Sequence, residues 1–147
     1  MSTRQIKLAL TISIALMVPT MTWADATRAR ADYMIHCQGC HLPDGSGFSG
    51  RVPDMRITLP QLLSVEGGRA FLIQVPGSSQ SALSDARLAG VLNWLVTAKT
   101  LDGGGPDFQP YTQKEVTAVR SDRLDDVFAT REALIGHLER ENGRTTE

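Results

Sequence analysis

Two cysteines three positions apart, followed at once by a histidine, constrain this chain more than any other feature. The motif is Cys37-Gln38-Gly39-Cys40-His41, and it contains the only two cysteines of the 147 residues. A scaffold stapled by several disulfides is therefore excluded, because such scaffolds need more cysteines. The fold must instead bring two thiols and one imidazole to the same place.

The first 24 residues are typical of a secretory signal peptide. A basic start is followed by mostly apolar residues 8–18, and then by Thr22 and Ala24 at the two positions that a signal peptidase recognises. We expect cleavage after Ala24, with Ala26 as the alternative site. A buried N-terminal helix or a short anchor is the other interpretation of this segment. Export would place the two cysteines in an oxidising compartment, where they must be paired, catalytic or otherwise occupied.

In an exported chain, the C-x-x-C-H spacing predicts covalent attachment of one haem. Two thiols at this spacing can add to the two vinyl groups of the haem, and the next residue then places an imidazole on the iron. We therefore predict that Cys37 and Cys40 anchor the haem and that His41 is an axial iron ligand. A thioredoxin-like redox pair would need a βαβ pattern around it, and a zinc or iron–sulfur site would need more ligands.

Composition argues against several other classes of protein. The formal net charge of −1 and the hydrophobic share of 41% do not fit a disordered chain or a nucleic-acid binder with a basic surplus. No apolar run reaches the ~18 residues of a membrane span. Apart from the cysteine motif, no catalytic constellation stands out, so we expect a protein that is not an enzyme.

The local signals are helical, and we expect an all-α fold. Ser84 is a good N-cap, and Leu83 and Leu88 are placed to form a hydrophobic staple. Thr112 and Glu115 have the spacing of a capping box. The expected helices span 26–40, 60–65, 69–75, 84–99, 112–120 and about 124–141, with loops at 42–59 and 76–79 and a hinge at 103–106.

Residues 26–100 resemble the monohaem c-type cytochromes of class I. Tyr33 and Trp94 stand where that family has aromatic residues at the crossing of its first and last core helices. The stretch after the motif matches the family pattern C-H-x-x-x-G-x-G…x-P, in which Pro53 is the proline. The resemblance implies that the Pro53 carbonyl accepts a hydrogen bond from His41, fixing its tautomer and raising its basicity.

The chain departs from this family on the distal side of the haem. The family usually supplies a methionine ligand in a Met-Pro pair before the final helix, and this chain has Val75-Pro76 there. Met55 is the one methionine after the motif. It is either the sixth ligand through an unusual loop path or a packing residue of the haem pocket. In the second case the distal site is open, or is filled by water or another side chain.

Other polar residues are candidates of lower rank. We expect His36 and His137 to lie at the surface, and Lys99 and Lys114 to be solvated rather than iron ligands. Three arginines are either surface residues or partners of the haem propionates, namely Arg51, Arg56 and Arg69.

These inferences predict a signal peptide over 1–24, a cytochrome c domain over 25–101 and a helical C-terminal extension over 102–147. We expect a periplasmic single-electron carrier with one haem c. The resemblance to the c-type cytochromes implies its partners, a periplasmic dehydrogenase as donor and an oxidase or larger cytochrome as acceptor. The alternatives are a haem-based ligand binder or sensor with an open distal site, and a haem subunit of a dehydrogenase complex. The extension either packs back onto the domain or forms a docking surface.

Overall fold

The computed structural model describes residues 23–100 and 102–144. The predicted signal peptide therefore lies almost entirely outside the described residues. The predicted all-α fold is confirmed, because the described ranges contain helices and a single isolated bridge between Phe48 and Val52. The helices are α1 (Trp23–His36), α2 (Met55–Leu63), α3 (Gly68–Gln74), α4 (Pro76–Ser79), α5 (Asp85–Lys99), α6 (Gln113–Val119) and α7 (Val127–Arg144).

The crossing of α1 and α5 forms the centre of the core. Tyr33 is fully buried on α1, and its ring lies 5.3 Å from that of Trp94 on α5. The Tyr33 hydroxyl donates to the Leu42 carbonyl at 2.6 Å, so it ties the loop after α1 to the core. The predicted role of both aromatic residues at a helix crossing is confirmed.

Helix α5 begins and ends where its local signals predict. The Ser84 hydroxyl accepts a hydrogen bond from the Arg87 amide at 3.4 Å, and the helix ends at Lys99. Leu83 and Leu88 are both buried, as a hydrophobic staple requires.

Other helix boundaries differ from the predictions. Helix α1 ends at His36, so the cysteine motif lies in the turns that follow it. Helix α2 begins at Met55 rather than Pro60, because the Asp54 side chain accepts the Arg56 amide at 2.9 Å and caps the helix earlier. Residues 76–79, predicted as a loop, form one helical turn in which a proline takes the first position, where it loses no hydrogen bond.

The C-terminal helices fold back onto the earlier ones. Helix α6 packs against α3 and α5, and α7 packs against α2. The Asn93 side chain both donates to the Tyr111 carbonyl and accepts from the Tyr111 amide, at 3.0 and 2.6 Å. The predicted hinge is a packed turn, because Gly104 lies so close to α5 that an added Cβ would run into the Val96 side chain.

One further boundary concerns the last helix. Helix α7 begins at Val127 rather than near Leu124, because the Asp126 side chain accepts the Ala129 amide at 2.9 Å. Within residues 23–100 and 102–144, no helix is long and apolar enough to cross a membrane.

Candidate haem site

The turns after α1 bring the three motif side chains to one cavity. The Cys37 amide donates to the Tyr33 carbonyl, and the Cys40 and His41 amides both donate to the Cys37 carbonyl, at 3.1 and 3.0 Å. Cys37, Cys40 and His41 all line a cavity of about 360 Å³. Both thiols are free, with Cys37 partly buried and Cys40 exposed.

The cavity has mainly apolar walls. They are built by helices α2 to α5, by α7 and by the end of α1, so the site depends on nearly the whole described fold. An apolar pocket of this kind buries a flat hydrophobic group and excludes water from it. The core residues on its walls include Leu59, Leu62, Phe71, Leu88, Leu92 and Leu95.

The electrostatics of Cys37 do not suit thiol redox chemistry. Burial, together with the charges of Asp32 and Cys40, raises the pKa of the Cys37 thiol to about 11. Reactive C-x-x-C pairs lower a thiol pKa, because the thiolate is the nucleophile. The described ranges also contain no βαβ unit and no group of three His, Cys, Asp or Glu residues that could hold a metal ion. Neither the thioredoxin-like nor the zinc interpretation therefore finds support.

His41 has the properties of an available iron ligand. Burial lowers its pKa, although the charge of Asp54 opposes this, so the neutral imidazole that binds metals is favoured. Its Nδ1 atom is buried without a hydrogen-bond partner among the described residues. A partly buried imidazole that favours its neutral form and lines the same cavity as two free thiols fits a covalently attached haem.

The hydrogen bond expected between Pro53 and His41 is not formed in this structure. Pro53 lines the cavity, but His41 Nδ1 has no hydrogen-bond partner among the described residues, so the contact between Pro53 and His41 stays a prediction. The Pro53 carbonyl oxygen lies against Gly47 instead, where an added Cβ would come within 2.6 Å of it. The lack of a side chain at Gly47 is what allows the loop to close this tightly.

Met55, the candidate distal ligand, and Val75 both line the cavity. Met55 is the first residue of α2, is partly buried, and lines the cavity together with His41. Its amide donates to the Gly45 carbonyl at 3.0 Å, which holds the start of α2 against the loop. Val75, which precedes Pro76 at the start of α4, also lines the cavity.

Only one of the three arginines proposed for the propionates reaches the cavity wall. Arg56 pairs with Asp44 and Asp54, and Arg69 pairs with Glu115 at 2.9 Å. Arg51 remains as a lining residue, and it is joined by Arg131 of α7. Sequence reasoning missed Arg131, because nothing local indicates that α7 folds over the cavity.

The structure also shows where the two other histidines and Lys99 lie. His36 is partly buried and lines the cavity, so the prediction that it points away from the motif is wrong. The last turn of α1 leads straight into the motif and carries His36 with it. Lys99 donates to the Pro43 carbonyl at 2.9 Å and lies over the Trp94 ring, whereas His137 is exposed, as predicted.

The all-α fold, the apolar cavity and the C-x-x-C-H turn that opens into it define a small helical haem protein. The chain belongs to the c-type cytochromes. It is 33% identical over 122 residues to cytochrome c-552 of Thermus thermophilus, a match that covers 67% of this chain and 90% of the relative. A second cytochrome c-552 of that species matches with the same identity and with 80% of its length covered.

No protein-family model matches the chain. Members of the c-type cytochrome family carry covalently bound haem c and are electron-transfer proteins rather than enzymes.

Proposed function

We propose that this chain is an exported, periplasmic single-electron carrier in which Cys37 and Cys40 hold one haem through thioethers and His41 is an axial ligand of its iron. The observation that carries the proposal is the meeting of all three side chains in one mainly apolar cavity. When bound, the haem supplies the Fe(II)/Fe(III) couple. The family membership of the chain supports the same function.

The residues of this chain would set the haem environment in three ways. The apolar walls exclude water and lower the local dielectric, and both influence the reduction potential. Arg51 and Arg131 lie on the cavity wall, where a guanidinium can donate to a carboxylate. The Pro53 carbonyl is our candidate acceptor for a hydrogen bond from His41 Nδ1, because this buried nitrogen lacks a partner among the described residues.

We further propose the division of the chain that the sequence predicts, with a signal peptide over 1–24, a cytochrome domain over 25–101 and an extension over 102–147. Cleavage after Ala24 would remove only the first two residues of α1, and the buried positions of that helix begin at Ala29. The cleaved chain would keep the core intact. Its partners would be a periplasmic dehydrogenase as donor and an oxidase or another cytochrome as acceptor.

A second candidate function is a ligand binder with an open distal haem site. It is favoured by Val75, which lines the cavity where the family resemblance places a methionine. Valine has no atom that binds iron, so only Met55 among the lining residues brings a thioether. For either function, we propose that the chain is a class I cytochrome whose distal side lacks the usual methionine.

The first experiment measures haem attachment. The chain is expressed in a host that matures c-type cytochromes, and the purified protein is analysed by intact mass and by the pyridine haemochrome spectrum. We expect one haem per chain, lost in the double variant Cys37→Ala/Cys40→Ala and retained in a Ser49→Ala control on the exposed loop. A colourless wild-type protein at the bare polypeptide mass would overturn the proposal.

The second experiment separates the two functions. The ferrous protein is exposed to carbon monoxide, and the ferric spectrum is searched for a methionine–iron charge-transfer band. Slow or absent carbon monoxide binding with that band supports electron transfer with Met55 as ligand. Rapid stoichiometric binding supports the ligand binder, and an unchanged spectrum and potential in Met55→Ala removes Met55 from the iron.

A further inference from the structure

The segment from Ser78 to Leu83 joins α4 to α5 and forms part of the cavity wall. Ser78, Ser81 and Leu83 all line the cavity, and residues 80–84 lie outside regular helix. The carbonyl groups at the end of α4 and in the bend after it have no continuing helix to pair with. The Ser78 carbonyl accepts from the Ser81 amide and hydroxyl at 3.2 and 2.9 Å, whereas the Ser79, Ser81 and Leu83 carbonyls are bound by a side chain from elsewhere in the chain.

Arg120, at the end of α6, supplies that side chain. Its Nε atom donates to the Ser79 carbonyl at 3.1 Å, and Nη1 donates to the Leu83 carbonyl at 2.7 Å. Its Nη2 atom donates to the Ser81 carbonyl at 2.6 Å and contacts the Ser78 carbonyl at 3.5 Å. One guanidinium from the C-terminal extension thus binds four backbone carbonyls of the wall.

The Arg120 side chain is itself held firmly. Nη1 also pairs with the Asp85 carboxylate at 2.8 Å, and the Arg120 side chain is only 15% exposed. The second Asp85 oxygen accepts a hydrogen bond from the Thr117 hydroxyl at 2.6 Å. Val116, in the same helix, is fully buried. The guanidinium is therefore fixed to both α5 and α6 while it binds the wall.

We propose that Arg120 is a positioning residue that holds the Ser78–Leu83 segment, and with it one wall of the haem cavity, in its observed place. The extension then has a defined task, which is to shape the haem environment from outside the cytochrome domain. This inference rests on the proposed haem site, because the effect on the wall becomes functional only when a haem is bound. No other residue type can replace arginine fully, since its planar fork carries five donors.

The test compares Arg120→Gln and Arg120→Lys with the matched control Arg123→Gln, which removes an exposed arginine three positions away. Haem content is measured first in the wild-type protein. Backbone hydrogen exchange of the holoprotein is then followed, and the rate at which imidazole binds the ferric haem is measured. Lysine can keep the ion pair with Asp85 but not the fork, so Arg120→Lys should fall between wild type and Arg120→Gln.

In Arg120→Gln we expect exchange in residues 78–83 to rise about tenfold or more, while exchange in α1 stays unchanged, because charged hydrogen bonds to the wall are lost locally. Imidazole should bind slowest to wild type, faster to Arg120→Lys and fastest to Arg120→Gln. The haem content should be the same in all three proteins. The inference is overturned by unchanged exchange at 78–83, or by an equal rise throughout the protein. If Arg120→Gln does not mature, Arg120→Lys gives the same two readouts. A wild-type protein without haem refutes the proposed function instead, and hydrogen exchange still decides whether Arg120 holds the wall.

Discussion

The ion pair between Asp32 and Arg87 offers the sharpest energetic prediction, because its two partners have very different exposure. Arg87 Nε donates to one Asp32 oxygen at 2.9 Å and Nη2 donates to the other. The Asp32 side chain is 2% exposed and the Arg87 side chain is 49% exposed. The pair joins α1, which leads into the cysteine motif, to α5, which forms the facing wall of the cavity.

Removing Arg87 should therefore lower the free energy of unfolding more than removing Asp32. In Arg87→Gln the Asp32 carboxylate is left buried without its cation, and the loss should approach the roughly 3 kcal/mol typical of a broken buried pair. In Asp32→Asn the guanidinium stays half in water and can still donate to the amide oxygen, so we expect a loss of about 1 kcal/mol. The double variant should be no less stable than Arg87→Gln alone, because the buried charge is gone.

Urea unfolding of the holoproteins at neutral pH, followed by far-UV circular dichroism, measures these differences. The comparison is valid if the dependence of the unfolding free energy on urea is the same for all variants. Arg30→Gln, on an exposed position of α1, serves as the control and should change stability by less than about 0.5 kcal/mol. Equal losses in the two single variants, or a larger loss in Asp32→Asn, would refute the reasoning from burial.

Two further predictions concern the extension and its contacts. Side-chain hydrogen bonds from Thr117 and then Arg120 hold the pKa of Asp85 below its usual range, so its stabilising contribution exists above about pH 4 and is lost as the pH falls through the lowered pKa. The difference in melting temperature between wild type and Asp85→Asn should therefore shrink in acid, and a difference that is constant with pH would contradict this. Gly104 has a φ of +93° and no room for a Cβ, so Gly104→Ala should cost about 2 kcal/mol in the same urea assay. Gly50→Ala, where φ is +72° and an added Cβ meets nothing within 4 Å, should cost clearly less, and equal losses would contradict the packing argument.

Features encoded within a few residues were predicted well from the sequence. Ser84 and Thr112 cap α5 and α6 as expected, because a cap joins a side chain to an amide two or three positions away. The Glu115 side chain, which a capping box would turn back to the start of α6, is bound elsewhere. The Glu115 carboxylate accepts two hydrogen bonds from Arg69, a residue that only the tertiary fold brings close.

The predictions that failed depend on contacts between distant residues. His36 was expected at the surface because helical spacing points it away from the motif, yet the cavity formed by other helices extends to it. Arg56 and Arg69, which the sequence left open as surface residues or propionate partners, are both bound to carboxylates. No pattern along the chain indicates which arginine meets a carboxylate and which reaches the cavity.

The sequence by itself predicted the all-α fold, which the structure confirms, and the haem-attachment site, which is our proposal. Haem attachment requires two thiols and an imidazole at fixed spacing, and five consecutive residues, Cys37 to His41, encode all three. Only the tertiary structure decided which groups surround them. Arg120 and Arg131 come from helices far along the chain, and the bonds from Arg120 span 35 to 42 residues. Such contacts arise from packing of the whole core, so local sequence signals cannot specify them.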